Sequence, residues 1–161
     1  MSKKDNSTSV DLPIQDKISP KLRKLADEFR LDPYLVKLLL NEPFFSTICM
    51  KLGKIRTEEI PTAGVFVRDL QFTLLWNPVF LAGLVKNHII GLMKHESYHL
   101  IFKHCTSRKH EPHKLWNWAA DLAINCLINE SELPDCGLIP GKPLDLTSLT
   151  DKIAETIDPG E

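Results

Sequence analysis

The sequence predicts an α+β domain, mainly helical, with a small β-sheet or hairpin beside one histidine-bearing helix. Apolar residues recur at helical spacing along much of the chain, in short runs that often open on a proline-marked start. One window, Gly53–Trp76, breaks that period with β-branched and aromatic residues in runs too short for good helices. With 43% hydrophobic and 25% charged residues over 161 positions, the chain also carries enough apolar material for one core without staples.

Residues 1–17 hold few large apolar side chains and are expected to be a disordered tail, leaving 18–161 as a single domain. Ser19-Pro20 reads as an N-cap followed by proline at the first helical position, with Leu22, Leu25 and Phe29 at helical spacing behind it. Asp32-Pro33 restarts a second short helix through Leu40, and Pro43 opens a third over Phe44–Leu52. Gly64–Arg68 and Gln71–Trp76 are the strands. They are expected to pair as a hairpin even though Asp69-Leu70 is a poor pair for a primed turn, and Gln71–Trp76 either offers an open edge to an extended peptide or is capped by another strand. Asn77-Pro78 caps a helix through about Val85, and a longer helix follows over roughly Asn87–His104. A polar loop, Cys105–Lys114, leads into Leu115–Asn129, which is apolar nearly all round and so predicts a helix buried on most sides. An irregular strap with Pro134, Gly137, Pro140, Gly141 and Pro143 comes next, then a short helix carrying Leu149, Ile153 and Ile157.

Charge excludes several partners. Lys plus Arg number 20 against 21 acidic residues, so no broad field favours nucleic acid or an anionic membrane. No apolar run reaches the ~18–20 residues of a membrane span. Cys49, Cys105, Cys126 and Cys136 form no CxxC pair, and Met1–Asp16 lacks the apolar region of a secretion signal, so reduced thiols in the cytoplasm are expected.

All six histidines fall between His88 and His113. Among them His95-Glu96-Ser97-Tyr98-His99 is an HExxH motif inside an apolar-periodic helix. Residues four apart on a helix lie on one face with Cβ atoms ~5–6 Å apart, so both imidazoles can reach one metal ion while Glu96 stands beside them as general base. Zinc catalysis requires three protein ligands and an open position, so a third must be found. A metzincin-like continuation is out, because Phe102 and Cys105 stand where glycine and histidine belong. His104 lies about 180° round the helix from His95 and reaches the metal only if the helix ends first. The stronger candidate is Asp121: a carboxylate among Trp, Ala, Leu and Ile is costly to bury unless it is paired or binds a cation, the alternative to a metal being a loop cap or a pairing with Arg108 or Lys114. Asn117 and Asn125 share its face at four-residue spacing and are candidates for holding the ligands in place. Tyr98 and Trp76, Trp116 and Trp118 read as packing residues, Cys105 and Cys126 as small core residues, and His110 and His113 as solvated loop residues.

The run HESYHLIFKH, the loop ending in LWN, then AADLAIN and LPDCGLIPG together resemble the metallopeptidase domain of bacterial and phage proteins whose larger members add a von Willebrand A-like domain. The resemblance implies a zincin-like fold with one Zn2+, His95, His99 and Asp121 as ligands, and Glu96 as catalytic carboxylate. His104 matches a family histidine. Ser97-Tyr98 replaces the more usual aliphatic pair. The sequence carries no Asp-x-Ser-x-Ser metal-adhesion motif, so a stand-alone short member or a fragment is expected, with a von Willebrand A-like partner or C-terminal domain as its companion.

The leading functional expectation is therefore a zinc peptidase acting on a peptide or protein substrate. Two others stand beside it: a non-catalytic, metal-stabilised interaction or assembly module, and a regulatory protease dedicated to one partner.

Overall fold

The computed structural model describes residues 18–138 apart from Lys109 and Cys136. The expected tail over 1–17 and the expected helix with Leu149, Ile153 and Ile157 lie outside the described residues. Within them the architecture is α+β, with six α-helices and a small mixed sheet, as the sequence predicts.

Three proline-started helices come first: α1 (Pro20–Glu28), α2 (Asp32–Asn41) and α3 (Pro43–Lys51). Proline suits each start because its missing N–H is one that no helix satisfies there. At α1 the Ser19 hydroxyl accepts from the Leu22 N–H at 3.2 Å, which completes the cap.

Strand β1 (Gly53–Arg56) was not expected, and it pairs in parallel with β3 (Gln71–Trp76), which pairs antiparallel with β2 (Ala63–Arg68). The order β1-β3-β2 makes β3 the central strand. Of the two alternatives for Gln71–Trp76 the structure has the capped one: β3 is paired on both sides, and β1 and β2 are the edge strands. The β2–β3 hairpin does form, and its register pairs Arg68 with Gln71. That leaves a two-residue loop whose twist demands left-handed backbone, and Asp69 and Leu70 adopt φ of 50° and 63° despite lacking the usual glycine.

Helix α4 (Pro78–Ala82) is shorter than expected; the Asn77 side chain caps it by accepting from Val79 N–H at 2.9 Å. Helix α5 (Lys86–Ile101) is the central element, burying Ile89, Ile90, Gly91, Met93, Lys94, Glu96 and Ser97. Leu74, Trp76, Leu81, Leu38 and Cys49 complete the core around it. Helix α6 (His113–Asn125) starts earlier and ends sooner than its sequence suggests. Only Ala120, Ile124 and Asn125 are buried on it, while Leu115 and Leu127 just beyond its end are exposed. The expectation of burial on most sides is therefore wrong for α6. An apolar circumference does not reveal that only one side meets the core; α5, with charged residues in its sequence, is the enclosed helix. No helix among the described residues is long and apolar enough to cross a membrane.

The buried charge on α5 has partners the sequence does not announce. Lys94 donates to Glu42 at 2.9 Å and to Glu132 at 2.6 Å, the latter in a 3₁₀ turn over Glu130–Glu132. That turn presses on α5 at Gly91, where an added Cβ would lie 2.0 Å from the Glu132 carbonyl oxygen. Alanine is the better helix former by about 1 kcal/mol, but overpacking against backbone costs about 1–3 kcal/mol. Gly91→Ala is thus expected to lower the melting temperature. An unchanged or raised value would show that the turn yields freely.

Candidate metal centre

His95 and His99 stand one turn apart on α5, and their Nε2 atoms approach to 3.0 Å. Helix α6 brings Asp121 opposite them, with Oδ1 3.5 Å from His95 Nε2 and 3.1 Å from His99 Nε2. These three side chains form a group that could hold a metal ion. Asp121 is where the sequence reading puts it but less enclosed than expected, its side chain retaining 34% of its exposure.

The rings are oriented from behind. Asn125 donates its amide to the Leu138 carbonyl at 2.6 Å, which turns its Oδ1 toward His95 Nδ1 at 2.8 Å. With an acceptor on that side, Nδ1 keeps a proton, and Nε2 is the nitrogen that faces Asp121 and is free to bind an ion once its own proton leaves. His104 does the matching service for His99, their Nδ1 atoms lying 3.2 Å apart. It can do so because α5 ends at Ile101, three residues before the expected end at His104. Lys103 takes φ 60°, and the His104 N–H returns to the His99 carbonyl at 2.9 Å, with Lys103 N–H to Leu100 at 3.0 Å. This is a Schellman closure with lysine where glycine is usual, and it folds His104 back beside His99. Trp116 packs edge-on against His104.

The donor set fits a divalent cation. Three acceptors facing one another across 3.0–3.5 Å repel unless a proton or a metal stands among them. Ligands at ~2.0–2.1 Å from a tetrahedral ion are separated by about 3.3–3.4 Å, close to the spacing seen. In the metal-free protein a proton plays that part. Burial disfavours a charged His95, yet its hydrogen bond to Asp121 and the nearby Glu96 raise its pKa. For Asp121, burial opposes ionisation, but the hydrogen bonds from His95 and His99 outweigh it and lower its pKa to about 2. Burial lowers the His104 pKa, as do the neighbouring His99 and Arg108, in keeping with a neutral ring accepting from His99.

Glu96 is buried, and its Oε2 accepts from the Val65 N–H of β2 at 3.0 Å. Burial raises its pKa, with charge from His95 and His99 opposing. Cys105 donates to the Val65 carbonyl at 3.3 Å, so both outward main-chain groups of Val65 are engaged by the histidine-bearing segment. These residues line one cleft of about 520 Å³ between the β2 edge and α6. Its size is that of an ordinary small-molecule or peptide site.

Other sequence expectations sort as follows. Asn117 lines the same cleft, but its amide lies 3.4 Å from His113 Nε2, away from the three ligand atoms. His113 is not a loop residue: it opens α6 and lines the cleft, while His110 packs on Trp116 with ring centroids 4.4 Å apart. Tyr98 packs between Phe45 and Phe102. Ser97 is fully buried, donating to the Met93 carbonyl at 2.8 Å with Cys49 Sγ 3.4 Å away. Cys105 lines the cleft and Cys126 is exposed, so neither is a core residue.

A family model described as a "putative metallopeptidase domain" matches residues 27–154. The chain belongs to that family. The matched span of this metallopeptidase-domain chain includes every residue of the cleft. Searches of curated proteins and of solved structures found no match.

Proposed function

We propose that this chain is a zinc-dependent peptidase, with Glu96 as general base and His95, His99 and Asp121 as metal ligands. The observation that supports it best is the convergence of three potential ligand atoms on one point of a cleft that also holds a buried carboxylate. Two imidazoles and a carboxylate suit zinc, and three protein ligands leave a position open.

When bound, the ion supplies a Lewis acid that polarises a peptide carbonyl and acidifies water near neutral pH. The chain does the rest. Val65 N–H holds Glu96 Oε2, which leaves Oε1 to take the proton of the attacking water and return it to the departing amine. Burial raises the Glu96 pKa above the ordinary carboxylate value, which makes it a stronger base than an exposed glutamate. Asn125 and His104 keep the two imidazoles turned with Nε2 inward. The β2 edge and α6 form the walls between which an extended peptide fits.

The test is digestion of a broad peptide library by zinc-loaded and chelator-stripped protein. Cleavage that appears with zinc and disappears on stripping is expected. If no peptide is cut while zinc sharply raises the melting temperature, the metal-stabilised module takes its place. Cleavage of one dedicated protein and of no library peptide would point to the regulatory protease.

A further inference from the structure

The two ends of the cleft differ in chemistry. Beyond His99 it is polar, lined by His104, Cys105, His113 and Asn117. Before His95 it is mainly apolar, with Phe80, Leu92, Leu133, Pro134 and Leu138 beside the uncharged Thr62 and Asn125. Leu92 lies three residues before His95, hence one turn along the same side of α5, so this end begins next to the metal-facing imidazole. No ionisable side chain lines it among the described residues.

Its walls are also held at both ends. The Glu130–Glu132 turn, from which Leu133 and Pro134 follow, sits against Gly91 where any side chain would collide, and Lys94 bonds Glu132 at 2.6 Å. Four residues past Pro134, the Leu138 carbonyl accepts from Asn125 at 2.6 Å, and the same amide orients His95. A pocket braced in this way does not have to be organised by its ligand, so less of the binding free energy goes into ordering it.

We infer that this apolar end is a side-chain subsite, and that it selects peptides carrying a large apolar side chain next to the scissile bond. The inference rests on the peptidase reading and adds the substrate class. A leucine-sized group displaces water from Phe80, Leu92 and Leu133, whereas a charged group there loses its hydration and finds no partner.

The probes are four peptide hydroxamates of one backbone, with Leu, Ala, Asp or Lys as the variable side chain. Their binding to the zinc-loaded 161-residue chain is measured by titration calorimetry, so the readout needs no turnover. The Leu probe is expected to bind at least about tenfold tighter than Ala, and tighter than Asp or Lys by a larger factor. In Phe80→Ala and Leu92→Ala the Leu:Ala ratio is expected to fall toward one, with zinc content on the same samples reporting an intact centre. Equal affinity for Leu and Ala, preference for a charged probe, or an unchanged ratio in variants that retain zinc overturns the subsite while leaving the metal centre standing. If all four probes bind stripped and loaded protein alike, the metal centre falls and the subsite with it.

Discussion

Glu96→Gln is expected to bind metal like the unaltered chain and to lose about 10²–10⁴-fold in hydrolytic rate, the usual contribution of a positioned general base. Glutamine has the same length, and its amide oxygen can take over acceptance from Val65 N–H, so the contact between α5 and β2 persists. What disappears is a group able to take a proton from water. Stability is not expected to fall, because a carboxylate that is 5% exposed is replaced by a neutral amide whose burial costs less. Metal content, melting temperature and peptide cleavage measured together separate these effects. Full turnover by this variant would remove Glu96 from the mechanism, whereas loss of metal would assign it a structural part.

How much of this is legible in the sequence depends on the range over which each feature is encoded. His95 and His99 are readable because their relation is set by one turn of one helix. Asp121 is readable because a carboxylate among apolar residues asks for a partner, although its side chain is one-third exposed, so the premise of full burial was too strong. The α+β layout follows from the change of period at Gly53 and the proline starts. Strand β1 escapes because Gly53-Lys54-Ile55-Arg56 has one large apolar residue and gains its partner only through parallel pairing with Gly53 opposite Thr73. Whether Gln71–Trp76 is an edge or a capped strand stays open in the sequence for the same reason, since β3 is central only once β1 is counted.

The supporting contacts are less legible because they join distant segments. Lys94 meets Glu42 and Glu132 across 52 and 38 residues. The Val65–Glu96 bond depends on the register of β2, which no local pattern reports. His104 is an instructive intermediate case. Periodicity extends α5 to His104 and thereby turns that residue away, whereas a left-handed Lys103 ends the helix early and brings His104 to the back of His99. A glycine at position 103 would have signalled the stop; a lysine there does not.

Asp121→Ala is expected to abolish metal binding at micromolar zinc, while His104→Ala keeps the ion with about 10–100-fold weaker affinity, as loss of a ring-orienting partner typically does. Elemental analysis of purified protein reads the difference directly. Melting temperature adds a pH signature. In the metal-free chain the His95 pKa is raised, so its pairing with Asp121 contributes fully below the ordinary imidazole value of 6.5 and is lost as pH rises through the raised one. The Asp121 part is present above the ordinary 3.8 and is lost as pH falls toward about 2. Zinc requires both imidazoles unprotonated, so its stabilisation runs the other way. The gain in melting temperature on adding zinc should therefore grow as pH rises through the raised His95 pKa in the unaltered protein and be absent in Asp121→Ala. Zinc retained by Asp121→Ala would take Asp121 out of the ligand set, and a gain that does not change with pH would take the imidazoles out of it; loss of zinc from His104→Ala instead would make the back of His99 the place where the third ligand stands.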